Sequence, residues 1–473
     1  ICLQNNRAMN GGVWGLSRVL RLEQAGMSVQ NIDTQWNVDI AALVTGRPFA
    51  SADAEAEQAW RTELPFSARL RSHCGTAAPA GAARTLSGRY AISGGLGGLG
   101  LRAAALVGGR GGGCVLASRS GRGVREGQGL VELLRSLGSN ADVVVCDTAD
   151  PYDAYTVAAC TSGVSGVLHA AGLGDKGLTA ELVGYRVERM CSPKALGAWH
   201  SHCAAAATPL EARALFSSVA SALGNVGQAN YAAANACLDA LALSQRAHGM
   251  RCLSLQWPLV GGAGMGAAAF EAAAGRLASI GGLAGVSLEQ YAACLGAQAC
   301  AARSVTLSAQ LVHRSSVHEL VADLADAAQP RFDELFAKAH ACARGAPLQV
   351  KRTADGEMGR ELASVAPAQR RSHTEALVLR LVRDVSGMAA AAVEAETPLM
   401  DAGVDSLSAT ELSSRLRAVS SVPLSPTLVF EHPSAHAIAA HLLEQVAGSE
   451  AAEVGTAVPC VAGAASALAL AAM

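Results

Sequence analysis

Aromatic residues and long runs of like charge are both scarce in this sequence of 473 residues. Aromatic residues make up 4% of it while hydrophobic residues reach 51%, so alanine and small aliphatic side chains must fill a sizeable core. The formal net charge is −2 with both signs mixed, which argues against a nucleic-acid partner. At roughly 100–200 residues per domain, the chain has room for about two to four domains.

The 13 cysteines include no Cys-x-x-Cys pair, and several, such as Cys146 and Cys252, lie within apolar runs. An odd number without a regular framework indicates reduced, buried thiols in a reducing compartment. No metal site is expected, because His200 and His202 have only the adjacent Cys203 as a further candidate ligand. We interpret both histidines as surface residues of a helix.

The sequence also has no run of 18 or more strongly apolar residues and no charged segment leading into an apolar one at its start. We therefore expect neither a membrane partner nor a signal peptide. The chain begins with Ile1 and ends in an uncharged, Ala-rich stretch from Val458 to Met473, so we interpret both ends as cuts through a longer polypeptide. The expected location is the cytoplasm, with a plastid as the alternative.

Residues from about 86 to 260 alternate short apolar runs with helical stretches. This alternation is typical of βαβ units and predicts an α/β fold with a Rossmann-like, doubly wound parallel sheet, because strands buried on both faces have continuously apolar sequences. The predicted strands are Arg89–Ser93, Cys114–Ser118, Asp142–Cys146, Gly166–His169, Ala214–Ser217 and Arg251–Gln256. By contrast, residues 372–447 show helical periodicity with prolines between the helices, which predicts a small all-α, four-helix unit.

A glycine-rich loop follows the first predicted strand. The order strand, glycine loop, helix is what a phosphate-binding turn requires, since glycine lets the backbone approach a pyrophosphate and the helix N-terminus offers free N–H groups. A merely flexible loop is the alternative, which the flanking strand and helix disfavour. The expected cofactor contacts here are Ser93, Gly94, Gly95, Gly97, Gly98, Leu99 and Gly100.

The second predicted strand ends in Ser118, Arg119 and Ser120. NAD sites usually place an acid near this point to bind the ribose 2′-hydroxyl, whereas the fork of Arg119 suits a 2′-phosphate, so NADPH is the expected cofactor. The third strand is followed by Asp147 and Thr148, where an acidic side chain could meet the adenine amine. For Asp147 the alternative is a turn cap.

The stretch from Phe216 to Asn235 resembles the ketoreductase domain of modular polyketide synthases, which belongs to the short-chain dehydrogenase/reductase superfamily. The resemblance extends over about residues 86–265. It includes the glycine loop, the Gln256-Trp257-Pro258 segment and the run Val167 to Gly172. It implies further cofactor contacts at Ala170, Ala171 and Gly172.

Carbonyl reduction needs a hydride and a proton, and four residues are the candidates for handling the proton. Tyr231 is the expected donor, and a nearby ammonium, from Lys194, would lower its pKa of about 10. Ser218 would hydrogen-bond to the carbonyl oxygen, and Asn235 lies on the same helix face as Tyr231. Ordinary members of the superfamily have a lysine where Asn235 stands, and polyketide ketoreductases make this same exchange. The alternative for Lys194 is an ordinary surface lysine.

The stereochemistry of the product is not assigned. The family element Leu-Asp-Asp marks one configuration, and this chain has Gly174-Asp175-Lys176 instead. The other configuration is marked by a tryptophan eight residues before the tyrosine, where this chain has Leu223.

A second resemblance lies near the C-terminus, where Gly403-Val404-Asp405-Ser406-Leu407 is followed by Phe430-Glu431-His432-Pro433. This segment resembles the acyl carrier proteins of type I synthases over about 75 residues. The resemblance implies that Ser406 carries a covalent 4′-phosphopantetheine near a helix N-terminus, which favours a phosphodiester. A simple helix cap is the alternative for the Asp-Ser-Leu tripeptide alone.

The segment from Gly12 to Glu23 resembles the end of the structural subdomain that precedes such reductases. The predicted divisions are a subdomain remnant at 1–85, a catalytic domain at 86–320, a linker at 321–371, the carrier at 372–447 and a flexible tail at 448–473.

The expected function is reduction of a carrier-bound β-ketoacyl thioester to the β-hydroxyacyl thioester within a type I polyketide synthase. The expected partners are the acyl thioester, a phosphopantetheinyl transferase, and ketosynthase and acyltransferase domains of the same synthase. Three alternatives stay open at this stage: an inactive reductase fold beside a carrier, a fatty-acid synthase segment, and a stand-alone alcohol dehydrogenase.

Overall fold

The structure is a computed structural model of the whole chain, and it divides into two units, which are described separately. It describes residues 2–4, 7–24, 27–34, 55–61, 64–70, 88–109, 111–123, 128–160, 163–262, 264, 285–301, 309–311, 329–335, 337, 365–366, 369–386, 394–401, 404, 409, 412–413, 415–416, 419–420, 424 and 428–452.

The first part of the larger unit forms a small sheet with one long helix. The strands follow the order β1-β2-β3-β4, in which the first three are parallel and β4 is antiparallel to β3. Their bounds are β1 Cys2–Gln4, β2 Asn31–Thr34, β3 Glu57–Arg61 and β4 Leu64–Ser67, and helix α1 spans Arg7–Glu23.

A second, fully parallel sheet of seven strands forms the centre of this unit. Its strands are β5 Arg89–Ser93, β6 Gly113–Ser118, β7 Ala141–Val145, β8 Val164–His169, β9 Ala212–Ser218, β10 Cys252–Trp257 and β11 Ala309–Leu311. The side chains of β9 and β10 are buried throughout, as expected for central strands covered on both faces.

Helices connect these strands, as parallel pairing requires. They are α2 Gly98–Gly108, α3 Leu130–Leu137, α4 Pro151–Cys160, α5 Gly184–Cys191, α6 Gly197–Ala204, α7 Val219–Leu223, α8 Ala229–Ala247 and α9 Leu288–Ala301. One turn of π-helix, Ser192–Leu196, joins α5 to α6.

The strand order β11-β10-β9-β8-β5-β6-β7 reverses direction at β5. The loops after β5 and β8 therefore diverge and leave a crevice at the carboxyl edge of the sheet, which is where open α/β sheets bind ligands. The prediction of a Rossmann-like, doubly wound parallel sheet is confirmed. Each of the six predicted strands is present, and β11 adds a seventh.

The N-terminal helix α1 packs tightly on α8. Gly11 and Gly15 lie on one face of α1, and a Cβ atom at Gly15 would come within 2.4 Å of the Ala232 carbonyl oxygen. At Gly11 it would come within 2.5 Å of the Ala240 Cβ. Glycine is needed at these positions because the two helix backbones approach so closely, and α8 is the helix that carries Tyr231.

Part of the stretch expected to be a linker packs onto the larger unit. Phe332 and Leu335 are each 2% exposed, and Arg331 donates a hydrogen bond of 2.8 Å to the Ala222 carbonyl. The expectation of a bare linker from residue 321 onward therefore fails for 329–335. The charged, proline-containing sequence gave no sign that three of its side chains would be buried.

The smaller unit contains the helices α10 Arg370–Ser386, α11 Leu428–Glu431 and α12 Ala435–Ala452. Its core is apolar and fully buried, with Val378, Val382, Leu412, Leu416, Ile438 and Leu442 as its main members. Leu412 and Leu416, which lie four residues apart and would share one face of a helix, are thus both buried. A backbone hydrogen bond of 2.8 Å from Leu399 to Pro433 joins the loop after α10 to the start of α12.

In the part of the chain that the structure describes, no helix has the length and apolar character needed to cross a membrane.

Candidate active site

The glycine loop after β5 turns sharply into α2. Gly94 has φ +65°, a left-handed conformation that favours glycine, and a Cβ there would lie 2.7 Å from the backbone of Ala171. At Gly100 a Cβ would lie 2.3 Å from the Gly94 carbonyl oxygen. The loop thus packs directly on the loop after β8, and the two line the crevice together. A second contact holds α2 in place, since the Tyr291 hydroxyl donates a 2.8 Å hydrogen bond to the Leu99 carbonyl.

The hydroxyl of Ser93 points under this loop toward a buried histidine. Its Oγ lies 2.6 Å from Nδ1 of His169, and Nε2 of that histidine lies 3.1 Å from the Lys194 carbonyl oxygen. Burial lowers the pKa of His169 to about 4, so the ring is neutral. Because a carbonyl only accepts, Nε2 carries the proton and Nδ1 accepts from Ser93. Ser93 thus fixes the residues around Lys194 through His169, and its expected contact with the cofactor stays a prediction.

The ends of β6 and β7 place the residues expected at the adenosine end of a cofactor. Arg119 is exposed beyond β6, and Ser120 forms a local turn with the backbone of Arg122. The carboxylate of Asp147 accepts a 3.0 Å hydrogen bond from the Ala149 N–H. One carboxylate oxygen of Asp147 therefore caps a turn, and the expected contact with the adenine amine stays a prediction. Thr148 is 8% exposed next to it.

Lys194 lies in the π-helical turn and is 4% exposed. Its Nζ donates a 2.9 Å hydrogen bond to the Phe216 carbonyl and lies 5.7 Å from the centroid of the Tyr231 ring. Burial lowers the pKa of Lys194 to about 8, while the charge of Asp239 opposes this. Lys194 also contacts Gly172, where a Cβ would lie 2.7 Å from the lysine Cε. It is therefore a buried residue that faces the crevice, and the surface alternative fails.

Ser218 ends β9, and Tyr231 lies in the first turn of α8. Ser218 is 8% exposed, and its Oγ accepts a 3.3 Å hydrogen bond from the Ala220 N–H at the start of α7. Burial raises the pKa of Tyr231, and interactions with the side chains of Ser218 and Asn235 oppose that rise. The net shift in the pKa of Tyr231 is therefore upward, because removal of the phenol from water outweighs the lowering expected from a nearby ammonium.

Asn235 lies one turn after Tyr231 on α8 and is fully buried. Its Nδ2 donates a 2.8 Å hydrogen bond to the Tyr231 carbonyl, which explains why the two residues share one helix face. Its Oδ1 is buried and has no hydrogen-bond partner among the described residues. The amide thus leaves an acceptor free beside the tyrosine.

A network of polar side chains around Asp239, which the sequence reasoning missed, lies next to Ser218 and the helix that carries Tyr231. The Asp239 carboxylate accepts hydrogen bonds of 2.6 Å from Ser221 and from Ser254, and one of 2.7 Å from Gln256. Asp239 lies eight residues after Tyr231 on α8, so the period of the helix could have placed it on the same face. Its three donors come from α7 and β10, which periodicity alone does not bring together.

The loop after β8 is tied to the residue that precedes Tyr231. Arg186 holds the Asp175 carboxylate through bonds of 3.0 and 2.9 Å, and Asn230 donates to Asp175 Oδ2 at 2.7 Å. A small cleft opens beside this loop. It is lined by Leu173, Gly174, Asp175, Tyr185, Arg186, Arg189 and Met190.

The structure therefore brings Lys194, Ser218, Tyr231 and Asn235 together at the carboxyl edge of β9, next to the crevice between the loops after β5 and β8. The fold and this cluster define the class, a Rossmann-type reductase domain. Ser406 lies outside the described residues.

Each of the two units matches a known protein family. The KR domain family matches residues 88–262, and the phosphopantetheine attachment site family matches residues 376–442, a range that includes Ser406. The chain therefore contains a KR domain and a phosphopantetheine-binding domain, and the curated proteins that it is similar to are polyketide synthases.

Curated relatives agree with this assignment. The spectinabilin polyketide synthase system protein NorB of Streptomyces orinoci is 35% identical over 362 residues, which are 74% of this chain and 16% of that protein. Mycoketide-CoA synthase of Mycobacterium tuberculosis is 31% identical over 345 residues, which are 71% of this chain and 8% of that protein. The chain thus spans a small part of the relatives it matches. These relatives are bacterial and give the plastid alternative no support.

Solved ketoreductases share the fold of the larger unit. An A1-type ketoreductase is similar with a TM-score of 0.61 at 28% identity, over 71% of this chain and 70% of that one. The first ketoreductase of the tylosin polyketide synthase is similar with a TM-score of 0.58 at 29% identity, over 72% of this chain and 75% of that one.

Proposed function

We propose that this chain reduces the β-keto group of an acyl thioester, carried by phosphopantetheine on Ser406, with NADPH as the reductant. The observation that supports this most is the convergence of Lys194, Ser218 and Tyr231, from three different elements, at the crevice of the sheet. A buried lysine, a buried serine and a tyrosine with a perturbed pKa in one place are typical of a site for proton transfer.

The glycine loop and its neighbours support the binding of a dinucleotide. Gly94, Gly95 and Gly100 leave the backbone bare where a Cβ atom would collide with neighbouring backbone. The N-terminus of α2 follows immediately, and Arg119 is exposed at the end of β6, where a 2′-phosphate would be bound. When bound, NADPH supplies a hydride to the carbonyl carbon.

The side chains of the cluster handle the proton. Tyr231 donates its phenolic proton to the carbonyl oxygen, and the hydroxyl of Ser218 donates a hydrogen bond to the same oxygen as negative charge develops there. The ammonium of Lys194, 5.7 Å from the ring centroid, favours the tyrosinate that remains. The β-keto group becomes a β-hydroxyl group and gains two hydrogen atoms in total.

The carrier domain supplies the substrate. A thioester on a flexible phosphopantetheine arm is present at high effective concentration, so reduction within one chain needs little affinity for free substrate. This role requires a phosphopantetheinyl transferase to modify Ser406, and ketosynthase and acyltransferase domains of the same synthase to build the acyl chain. We propose that this reduction takes place in the cytoplasm.

The proposal is tested by loading Ser406 with a β-ketoacyl phosphopantetheine and adding NADPH. Intact-protein mass spectrometry should show the loaded chain gaining the mass of two hydrogen atoms, and Ser406→Ala should not load at all. Loading without any gain in mass would leave a carrier beside an inactive reductase fold. A failure of the unmodified chain to load would contradict the assignment of Ser406.

A further inference from the structure

Helix α1 ends in a buried carboxylate that the catalytic cluster does not include. Glu23 is 7% exposed, and it accepts hydrogen bonds from two backbone N–H groups, those of Thr179 at 2.7 Å and of Gly227 at 2.8 Å. The two donors lie 156 and 204 residues away along the chain. One side chain of the N-terminal subdomain therefore joins two distant loops of the reductase.

Both loops border the active site. Gly227 lies four residues before Tyr231, in the turn that leads into α8. Thr179 ends the loop that leaves β8, and this loop also contains Asp175, which Asn230 binds. The loops are joined to each other as well, since the Gly177 N–H donates a 2.9 Å hydrogen bond to the Gly227 carbonyl.

A neighbouring carboxylate shows what an ordinary structural role looks like here. Glu57 is 3% exposed and forms ion pairs with Arg18 and Arg21, which hold its pKa at about 2 against the cost of burial. In the described part of the chain no cation pairs with Glu23, and backbone N–H groups alone compensate it. Burial of a carboxylate is costly unless it is hydrogen-bonded, so its two bonds fix those amides strongly.

The contact surface around Glu23 reinforces the same turn. Gly224 has φ +80°, and a Cβ atom there would lie 2.8 Å from Cδ1 of Leu22 and 3.0 Å from the Arg18 carbonyl oxygen. Gly227 has φ +74°. The turn at 224–227 therefore packs closely on α1, and Glu23 is its polar anchor.

We propose that Glu23 is a positioning residue for the reduction, an inference that rests on the proposed reductase activity. Its carboxylate sets the spacing between the loop that leaves β8 and the turn before α8. Tyr231 lies in the first turn of α8, directly after the turn at 224–227. The distance between the two loops therefore fixes where the phenol meets the substrate carbonyl. The residue itself touches no reacting atom.

The first test detects the two hydrogen bonds of Glu23 without an activity assay. Hydrogen–deuterium exchange of the full chain is followed at the amides of Thr179 and Gly227. Loss of hydrogen bonds to a charged acceptor should speed exchange at both by about tenfold or more in Glu23→Ala. Glu23→Gln keeps the size and one acceptor oxygen, so one amide should stay protected. Glu132→Ala, which removes an exposed carboxylate of α3, is the matched control and should change neither amide. Unchanged exchange in both Glu23 variants would overturn the proposal.

The second test separates positioning from stability. With NADPH and a small β-ketoacyl thioester, kcat should fall about tenfold in Glu23→Gln and further in Glu23→Ala, with KM for NADPH unchanged. Glu23→Gln decides the matter if Glu23→Ala does not fold. A lower melting temperature with kcat intact would reduce Glu23 to a structural residue and overturn the proposal. If the unmodified chain shows no reduction, the proposed function fails, while the exchange result still decides whether the anchor exists.

Discussion

The two ends of the crevice are built in opposite ways. At the end proposed to bind the cofactor, Gly94, Gly95 and Gly100 let backbone segments pack closely, because a Cβ atom added at any of them would collide with neighbouring backbone. At the catalytic end, Lys194 and Ser218 are buried side chains fixed by hydrogen bonds to backbone groups. One end is damaged by adding atoms, and the other by removing them.

This difference affects what each end can tolerate. Added atoms in packed backbone cost free energy of folding as well as function, because the neighbours cannot move away. Removing a hydroxyl from the catalytic end leaves the packing almost intact and affects the reaction chiefly. Rate and stability should therefore separate at the catalytic end and change together at the cofactor end.

Among substitutions at Ser218, Gly100, Arg119 and Lys194, we expect the largest effect on rate for Ser218→Ala. Loss of one hydrogen-bond donor to a developing oxyanion should lower kcat by about 10²–10³-fold. The melting temperature and the affinity for NADPH should stay close to those of the unmodified chain. Steady-state kinetics with a β-ketoacyl thioester measure this, with Ser136→Ala on the exposed face of α3 as the control. A loss of less than threefold would remove Ser218 from the mechanism.

A smaller effect on rate, joined to a loss of stability, is expected for Gly100→Ala. Its Cβ would lie 2.3 Å from the Gly94 carbonyl oxygen, so unfolding free energy should fall by about 1–3 kcal/mol. NADPH affinity should fall with it, because the loop must shift. Gly184→Ala is the control, since nothing lies within 4 Å of the added methyl group. Denaturant unfolding and NADPH titration check both quantities, and normal NADPH binding in Gly100→Ala would contradict the account of the loop.

Arg119→Ala should alter cofactor choice more than rate. Loss of a charged partner for the 2′-phosphate should raise KM for NADPH about tenfold and leave KM for NADH unchanged. Arg122→Ala removes an exposed arginine three residues further on and is the matched control. Equal losses in the two variants would assign the effect to general charge rather than to Arg119.

The smallest effect at neutral pH is expected from the titration of Lys194. Its pKa is lowered by burial from 10.5 to about 8, so between these values the unfolded chain binds more protons than the folded one. Stability should therefore rise with pH across this window, by about 3 kcal/mol in all, while kcat falls as the ammonium is lost. Lys194→Met should remove the rise in stability, which denaturant unfolding at several pH values would show. An unchanged pH profile in Lys194→Met would place the titration on another group.

The local pattern of apolar residues predicted much of the reductase fold. The six predicted strands are short apolar runs whose ends differ from the observed ones by two residues or fewer. They could be predicted because a strand that is buried on both faces has a continuously apolar sequence. The glycine loop could be placed from its position between a predicted strand and a predicted helix. Ser218, Tyr231, Asn235 and Lys194 depended on the resemblance to ketoreductases.

The parts that sequence reasoning missed all depend on contacts between distant segments. Glu23 receives its donors from residues more than 150 positions away, and Arg331 is buried against Ala222 although its own surroundings in sequence are polar. The hydrogen bond between Ser93 and His169 was missed for the same reason, since His169 lies 76 residues further on. No local period encodes such pairs, so only the folded chain reveals them.

The central claim is that Tyr231 gives the proton for a hydride reduction at this crevice. NADPH absorbance is followed with a small β-ketoacyl thioester for the unmodified chain and for Tyr231→Phe, with circular dichroism and NADPH binding recorded for both. We predict NADPH consumption by the unmodified chain, and a loss of about 10²–10⁴-fold in Tyr231→Phe with folding and NADPH binding retained. Equal consumption by both proteins, or none by a folded, NADPH-binding unmodified chain, would contradict it.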